Sequence, residues 1–219
     1  MSLEADKGRY TTNLLSRHLG VNLNRMEGKD RVNFLTQDDI KERVDKFLTK
    51  EGGAPAFYVY DNRGESVESL KDRVYEMIKS LGVTLLCVDV ISDITSSMSR
   101  EDQDKFVIWL KSLTLEFPYL TIVVVAHTRK RDTSEQTTEQ EILGSSILAK
   151  SSAQTISIER NKLEECPIKR NTTVVTVHKN RPHQTTGIAQ RLFFDINTGK
   201  LEDLEDFKEK NPHMFKEEQ

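Results

Sequence analysis

The sequence is poor in the features that define several protein classes. It has 219 residues with only two cysteines, one tryptophan and five prolines. Cys87 lies in an apolar run and Cys166 in a polar stretch, so no disulfide framework is expected and a reducing cytoplasm fits. No apolar run approaches the roughly 20 residues that a membrane-spanning helix needs. The N-terminus carries no apolar signal segment, so export is not indicated. A basic excess is missing too. The net charge of −3 excludes a grossly basic nucleic-acid binder, though not local basic loops. There is no internal repeat and no low-complexity tract. What is present, 36% hydrophobic and 31% charged residues, describes a polar globular protein long enough for one sizeable core.

The organising stretch is Thr84 to His127. Thr84-Leu85-Leu86-Cys87-Val88-Asp89 is an apolar run ending on a carboxylate, and Leu120 to His127 is a second run ending on an imidazole. Runs apolar on both faces suit parallel strands covered by helices on each side. Between them Phe106, Val107, Leu110, Leu113 and Phe117 repeat at helical spacing, as a crossover helix requires. Ligands of open α/β sheets bind outside the carboxyl ends of the strands, so Asp89 and His127 are expected to face one site.

The remainder extends this pattern. Leu14, Leu15, His18 and Leu19 predict a helix stopped by Gly20. Residues 28–37 read as a loop, and Asp38 to Leu48 as a helix with Ile40, Val44, Phe47 and Leu48 on its apolar face. Gly52-Gly53-Ala54-Pro55 breaks the chain before a short aromatic strand, Phe57 to Tyr60. Ser66 caps a helix using Val67, Leu70, Val74, Met77, Ile78 and Leu81, with Gly82 as its stop. Residues 128–141 are polar throughout, and 142–152 contain a short helix. Gln154 to Glu159, Thr172 to Lys179 and Arg191 to Asp195 read as strands. The expected fold is therefore α/β, with a mainly parallel central sheet flanked by helices and late strands antiparallel at the edge. The charged stretch 202–219 reads as a solvated tail or an interaction segment.

Taken singly, the chemistry-bearing residues have ordinary explanations. A carboxylate after a buried strand, such as Asp89, holds Mg²⁺ beside a nucleotide or merely caps the next turn, and Asp93 is a weaker candidate on the same loop. His127 either hydrogen-bonds a phosphate and passes that information to the following loop or is a structural histidine. Lys179-Asn180-Arg181 suits a phosphate clamp or a solvated turn. Glu4 alone has no specificity, although a glutamate can orient or deprotonate a water.

Their order along one chain is more specific. A carboxylate near the start, Asp89, His127, Gly144-Ser145 and then Lys179-Asn180-Arg181 resemble the RecA-like motor domain of the DnaB-like replicative helicases. Within that family the sequence looks most like the helicase half of phage primase-helicases. Met1-Ser2-Leu3-Glu4 resembles the segment that places the catalytic glutamate. Val88-Asp89-Val90-Ile91-Ser92 resembles the Walker B strand. Val125-Ala126-His127 resembles the strand ending in a γ-phosphate sensor. Residues 128–141 fall where the family has a DNA-contacting loop, and Gly144-Ser145 through Ile158-Glu159-Arg160-Asn161 resembles a segment that approaches single-stranded DNA. Lys179-Asn180-Arg181 resembles the pair that reaches a neighbour's ATP site.

The resemblance spans residues 1–201 and implies the following. Six subunits form a ring around one DNA strand and bind ATP and Mg²⁺ between neighbours. Glu4 polarises the attacking water, Asp89 stands on the Mg²⁺ side, His127 senses the γ-phosphate, and Lys179 with the arginine finger Arg181 acts on the adjacent subunit. Arg129, Lys130, Arg131, Lys150 and Arg160 contact single-stranded DNA. Partners are DNA, further copies of the chain and a primase domain or protein. The location is the cytoplasm, that of a bacterial host for a phage protein. Two departures stand out. No G-x-x-x-x-G-K-[ST] occurs in the chain, because the family's phosphate loop precedes the Glu4 segment. That implies a fragment, one part of a split gene or a degenerate relative, with little hydrolysis by this chain alone. Ala149-Lys150 stands where the family often has Arg-Gln or Glu-Gln. The competing readings are a RecA-type recombinase or regulatory ATPase, and a non-catalytic RecA-like binding or assembly module.

Overall fold

A computed structural model describes residues 6–60, 65–127 and 146–215. The chain divides into two compact units, 1–7 with 59–153 and 8–58 with 154–219.

In the first unit the organising stretch folds as the periodicity predicts. β1 (Leu85–Val88) and β2 (Thr121–Val124) pair in parallel, with Leu86 opposite Ile122 and Val88 opposite Val124. The crossover runs through a short α5 (Ile91–Thr95) and a long α6 (Arg100–Glu116). Ser99 caps α6 by accepting a hydrogen bond from the Asp102 amide, and Phe106, Val107, Leu110 and Leu113 form its buried stripe. Ahead of β1, α4 (Val67–Leu81) starts at Ser66, whose hydroxyl accepts from the Ser69 amide, and ends at Gly82 with φ +62°. That left-handed conformation is one glycine adopts without a side-chain clash. Leu70, Val74 and Ile78 of α4 join the α6 stripe in one core, completed by the inner faces of β1 and β2 and by Ile147 and Leu148 of α7 (Ser146–Ser151).

Only one face of this parallel pair is covered, where the apolar runs predict two. Val88 is fully buried, whereas Leu85 is 60% and Val123 45% exposed. Leu86, Ile122, Val124 and Ala126 alternate onto the helix side. The apolar composition of both faces is thus real, but the second face meets solvent.

In the second unit, α1 (Lys7–Leu19), α2 (Gly28–Leu35) and α3 (Asp38–Leu48) surround a small core of Leu19, Leu23 and Ile40. Gly20 ends α1 at φ +73°. α2 replaces the loop expected over 28–37. It buries no residue fully and leaves Val32 exposed, so it has little apolar stripe to read. The strand expected over Phe57 to Tyr60 is absent: those residues are extended without ladder partners, and the nearby pairing is an isolated bridge from Thr49 to Pro55. Phe57 instead packs its ring 5.6 Å from that of Phe47.

β3 (Gln154–Glu159), β4 (Thr172–Asn180), β5 (Gly187–Asp195) and β6 (Lys200–Asp203) form one antiparallel sheet in chain order, with α8 (Pro167–Asn171) leading into β4. β5 begins four residues before the strand read from Arg191, because its first half is exposed and carries no apolar alternation. β6 and α9 (Leu204–Lys210) occupy the start of the stretch read as a charged tail. Asp203 caps α9 by accepting from the Glu205 and Asp206 amides, and Leu204 and Phe207 are buried, Phe207 stacked 4.0 Å from Phe193. Two apolar residues are enough to anchor so short a helix, too few to stand out among its charges.

Candidate functional site

In the first unit, the ends of β1 and β2 are tied together past the ladder. The Val125 amide donates to the Val88 carbonyl at 2.9 Å, and the Ile91 amide donates to the Val125 carbonyl at 2.9 Å. Asp89 follows Val88 directly, and the Asp89–Val90 peptide is cis. Asp89 alternates with buried Val88, and His127 with Ala126, which packs on the core. Both functional side chains therefore lie at the carboxyl ends of adjacent parallel strands and away from the helix-covered face. Asp89 is half-buried and His127 exposed. Cys87, two residues before Asp89, has its thiol pushed up from the ordinary range by burial and then by the Asp89 charge, as expected for neighbours on one strand face. Asp93 is exposed in the first turn of α5.

In the second unit, Lys179 lies at the end of β4 and Arg181 follows in the exposed connection to β5. No carboxylate residue occurs between Glu165 and Asp195, a span that holds Lys169, Arg170, Lys179, Arg181 and Arg191. This hairpin is therefore a concentrated positive feature in a chain of negative net charge. Asn180, which the sequence presents as a spacer between two cations, is a clamp. Its side-chain amide donates to Thr185 Oγ1 at 2.9 Å and its side-chain oxygen accepts from Gln154 Nε2 at 3.2 Å. Its carbonyl accepts from the Gln184 amide at 2.6 Å, with Gln184 at φ +57°. On β3 and β4, His178 Nε2 lies 2.8 Å from Ser157 Oγ, which donates to Glu159 Oε1 at 2.7 Å. No motif or spacing flags Ser157, His178 or Asn180, because their role depends on strand register.

The remaining predicted residues fall as follows. Arg160, just past β3, holds its guanidinium carbon 4.7 Å from the Phe194 ring centroid, a cation–π contact that leaves the guanidinium edge for other acceptors. Lys150 is exposed on α7. Glu4, Arg129, Lys130, Arg131 and Gly144-Ser145 lie outside the described residues. The structure thus brings Asp89 and His127 together in one unit, and Lys179 and Arg181 together in the other.

No family model matches the chain, and no curated protein matches it. Among solved structures it is similar to the ATPase domain of a DnaB-like helicase, with a TM-score of 0.70 at 14% identity over 92% of this chain and 72% of that one. The fold is RecA-like. A KaiC-like protein from Pyrococcus horikoshii OT3 aligns at a TM-score of 0.46 and 15% identity, over 84% of this chain and 73% of that one.

RecA-like domains raise the question of nucleotide and Mg²⁺. Among the described residues there is no cluster of three or more His, Cys, Asp or Glu that would cage a metal. A single carboxylate at a strand end instead fits Mg²⁺, which keeps most of its waters and takes phosphate oxygens. Ser92 Oγ, three residues after Asp89 in the first turn of α5, is buried without a hydrogen-bond partner and is a second oxygen in this segment. The donor set is all oxygen, as a hard cation requires. No described helix is long and apolar enough to cross a membrane.

Proposed function

We propose that the chain is part of an ATP-dependent DNA helicase motor of the DnaB-like kind, which assembles as a ring, translocates on single-stranded DNA and unwinds duplex. The observation that carries this reading is the placement of Asp89 and His127 at the tied carboxyl ends of two adjacent parallel strands in a RecA-like fold. That is where an open α/β sheet presents its ligand.

In this reading Asp89 orients Mg²⁺, and the bound ion neutralises charge on the β- and γ-phosphates. Glu4 orients the attacking water. His127 hydrogen-bonds the γ-phosphate and links its presence to the loop of Arg129, Lys130 and Arg131. Lys179 and Arg181 act on the neighbouring subunit's nucleotide, where a guanidinium supplied in trans stabilises charge as the phosphoryl group transfers. Arg129, Lys130, Arg131, Lys150 and Arg160 meet DNA phosphates, so binding is tolerant of sequence and sensitive to salt. A phage origin, six-fold ring, primase partner and cytoplasmic location belong to the same reading, as does a motor extending over 1–201.

The assignment of roles in trans has a direct test in the chain joined to a segment that supplies G-x-x-x-x-G-K-[ST]. Asp89→Asn and Arg181→Ala subunits are each expected to be inactive alone. Mixed together they regain part of the hydrolysis, because some interfaces combine an intact Asp89 with an intact Arg181. No recovery on mixing would contradict a finger acting across the interface. The absence of a phosphate-loop motif from the sequence favours a second reading, a non-catalytic RecA-like binding or assembly module. It predicts no hydrolysis even when that segment is supplied.

A further inference from the structure

The ladder between β3 and β4 changes register once. Ile156 pairs with Val177, but Thr155 pairs with Lys179 and Gln154 with Asn180, so His178 is an extra residue on β4. This is a β-bulge, a device that bends a strand and re-aims the side chains beyond it. In an unbroken ladder Lys179 would share the side of Val175 and Val177. The bulge pairs it with Thr155, on the side of Ser157 and Glu159, where β3 is half-buried; Ile156 and Ile158 on the opposite side are exposed.

The bulge is held from within the sheet. Ser157 Oγ donates its hydrogen to Glu159 Oε1, so toward His178 it acts as acceptor, and His178 donates from Nε2. The hydroxyl thus joins the extra residue of β4 to a carboxylate of β3. On the far side of the bulge, Asn180 is fixed to Gln154, Thr185 and the Gln184 amide. The two cations of Lys179-Asn180-Arg181 are consequently set by hydrogen bonds on both flanks of the segment that carries them.

We propose that Ser157 is a positioning residue for Lys179 and Arg181. By holding His178 in the bulge, it turns both cations to the Ser157–Glu159 side of the sheet. The inference rests on the reading of Lys179 and Arg181 as phosphate-binding cations.

The test compares Ser157→Ala, which removes the hydroxyl, with Ser157→Thr, which keeps it. Two readouts on this chain are amide hydrogen exchange over 177–180 and at Gln184, and titration with ATP followed by NMR at Lys179 and Arg181. Ser157→Ala is expected to speed exchange at least tenfold in this segment and to weaken the ATP response of Lys179 and Arg181 at least threefold. Ser157→Thr is expected to restore both. Wild-type exchange and ATP response in Ser157→Ala would overturn the inference, as would a threonine variant as defective as alanine. If ATP moves neither cation even in the wild type, the phosphate-binding reading fails, while hydrogen exchange still decides whether Ser157 holds the bulge. Should Ser157→Ala fail to fold, His178→Ala removes the same hydrogen bond from the β4 side and carries the same expectations.

Discussion

Truncating Val88 to alanine separates the two faces of the parallel strand pair. Val88 is fully buried against the helix-side core, and its carbonyl accepts the Val125 amide that ties the site's strand ends together. Losing two methyl groups forfeits about 1.6 kcal/mol of transfer free energy at about 0.8 kcal/mol each. The cavity left in a packed core raises the total to about 2–3 kcal/mol. The matching substitution on the other face is Leu85→Ala. It removes more atoms, yet Leu85 is 60% exposed, so the loss is expected to be about 1 kcal/mol or less. The assay is urea unfolding followed by tryptophan fluorescence. The single tryptophan, Trp109, has its ring 5.4 Å from that of Phe106 and packs on the same core, so it reports on this unit. An unchanged urea slope would tie the shift to stability alone. An equal or larger loss at Leu85 would refute the one-sided cover of the sheet.

Other consequences follow from particular contacts. Tyr60 donates its hydroxyl to Glu65, and burial, followed by that bond and the Glu65 charge, pushes its pKa up to about 12. The folded state therefore holds the phenol proton more tightly than the unfolded one. The stabilisation is complete below about pH 10 and is lost as pH rises toward about 12; phenolate absorbance of wild type against Tyr60→Phe will show whether this tyrosine titrates last. Ser66→Ala removes the cap of α4 and should cost about 1 kcal/mol in the Trp109-monitored melt, with no loss if water replaces the hydroxyl. Native Cys87 should react more slowly with a thiol reagent than in the unfolded chain, since burial raises its pKa; equal rates would contradict that burial. Charge removal at Arg129, Lys130 and Arg131 should weaken single-strand binding and flatten its salt dependence, and an unchanged slope would mean the loop does not follow the backbone.

The sequence made legible what rests on periodicity and end signals. The α4 and α6 stripes, the Ser66 cap, the Gly20 and Gly82 stops and the two parallel strands all carry patterns that local physics imposes. It misled where burial is partial. α2 has no fully buried residue, the first half of β5 is exposed, and α9 is anchored by Leu204 and Phe207 among charges. Phe57 to Tyr60 reads as a strand because it is aromatic and β-branched, but it has no ladder partner. The position of Asp89 and His127 at strand ends was legible for the same reason as the strands. The clamp at Asn180 and the bulge at His178 were not, because a register shift depends on the partner strand and leaves no mark in spacing.

The most direct measurement of the central claim is ATP hydrolysis, with and without single-stranded DNA, by this chain and by the chain joined to an upstream phosphate-loop segment. The account predicts little turnover by the chain alone and turnover stimulated by DNA in the joined protein. No hydrolysis in either would contradict the motor assignment and leave a RecA-like binding module.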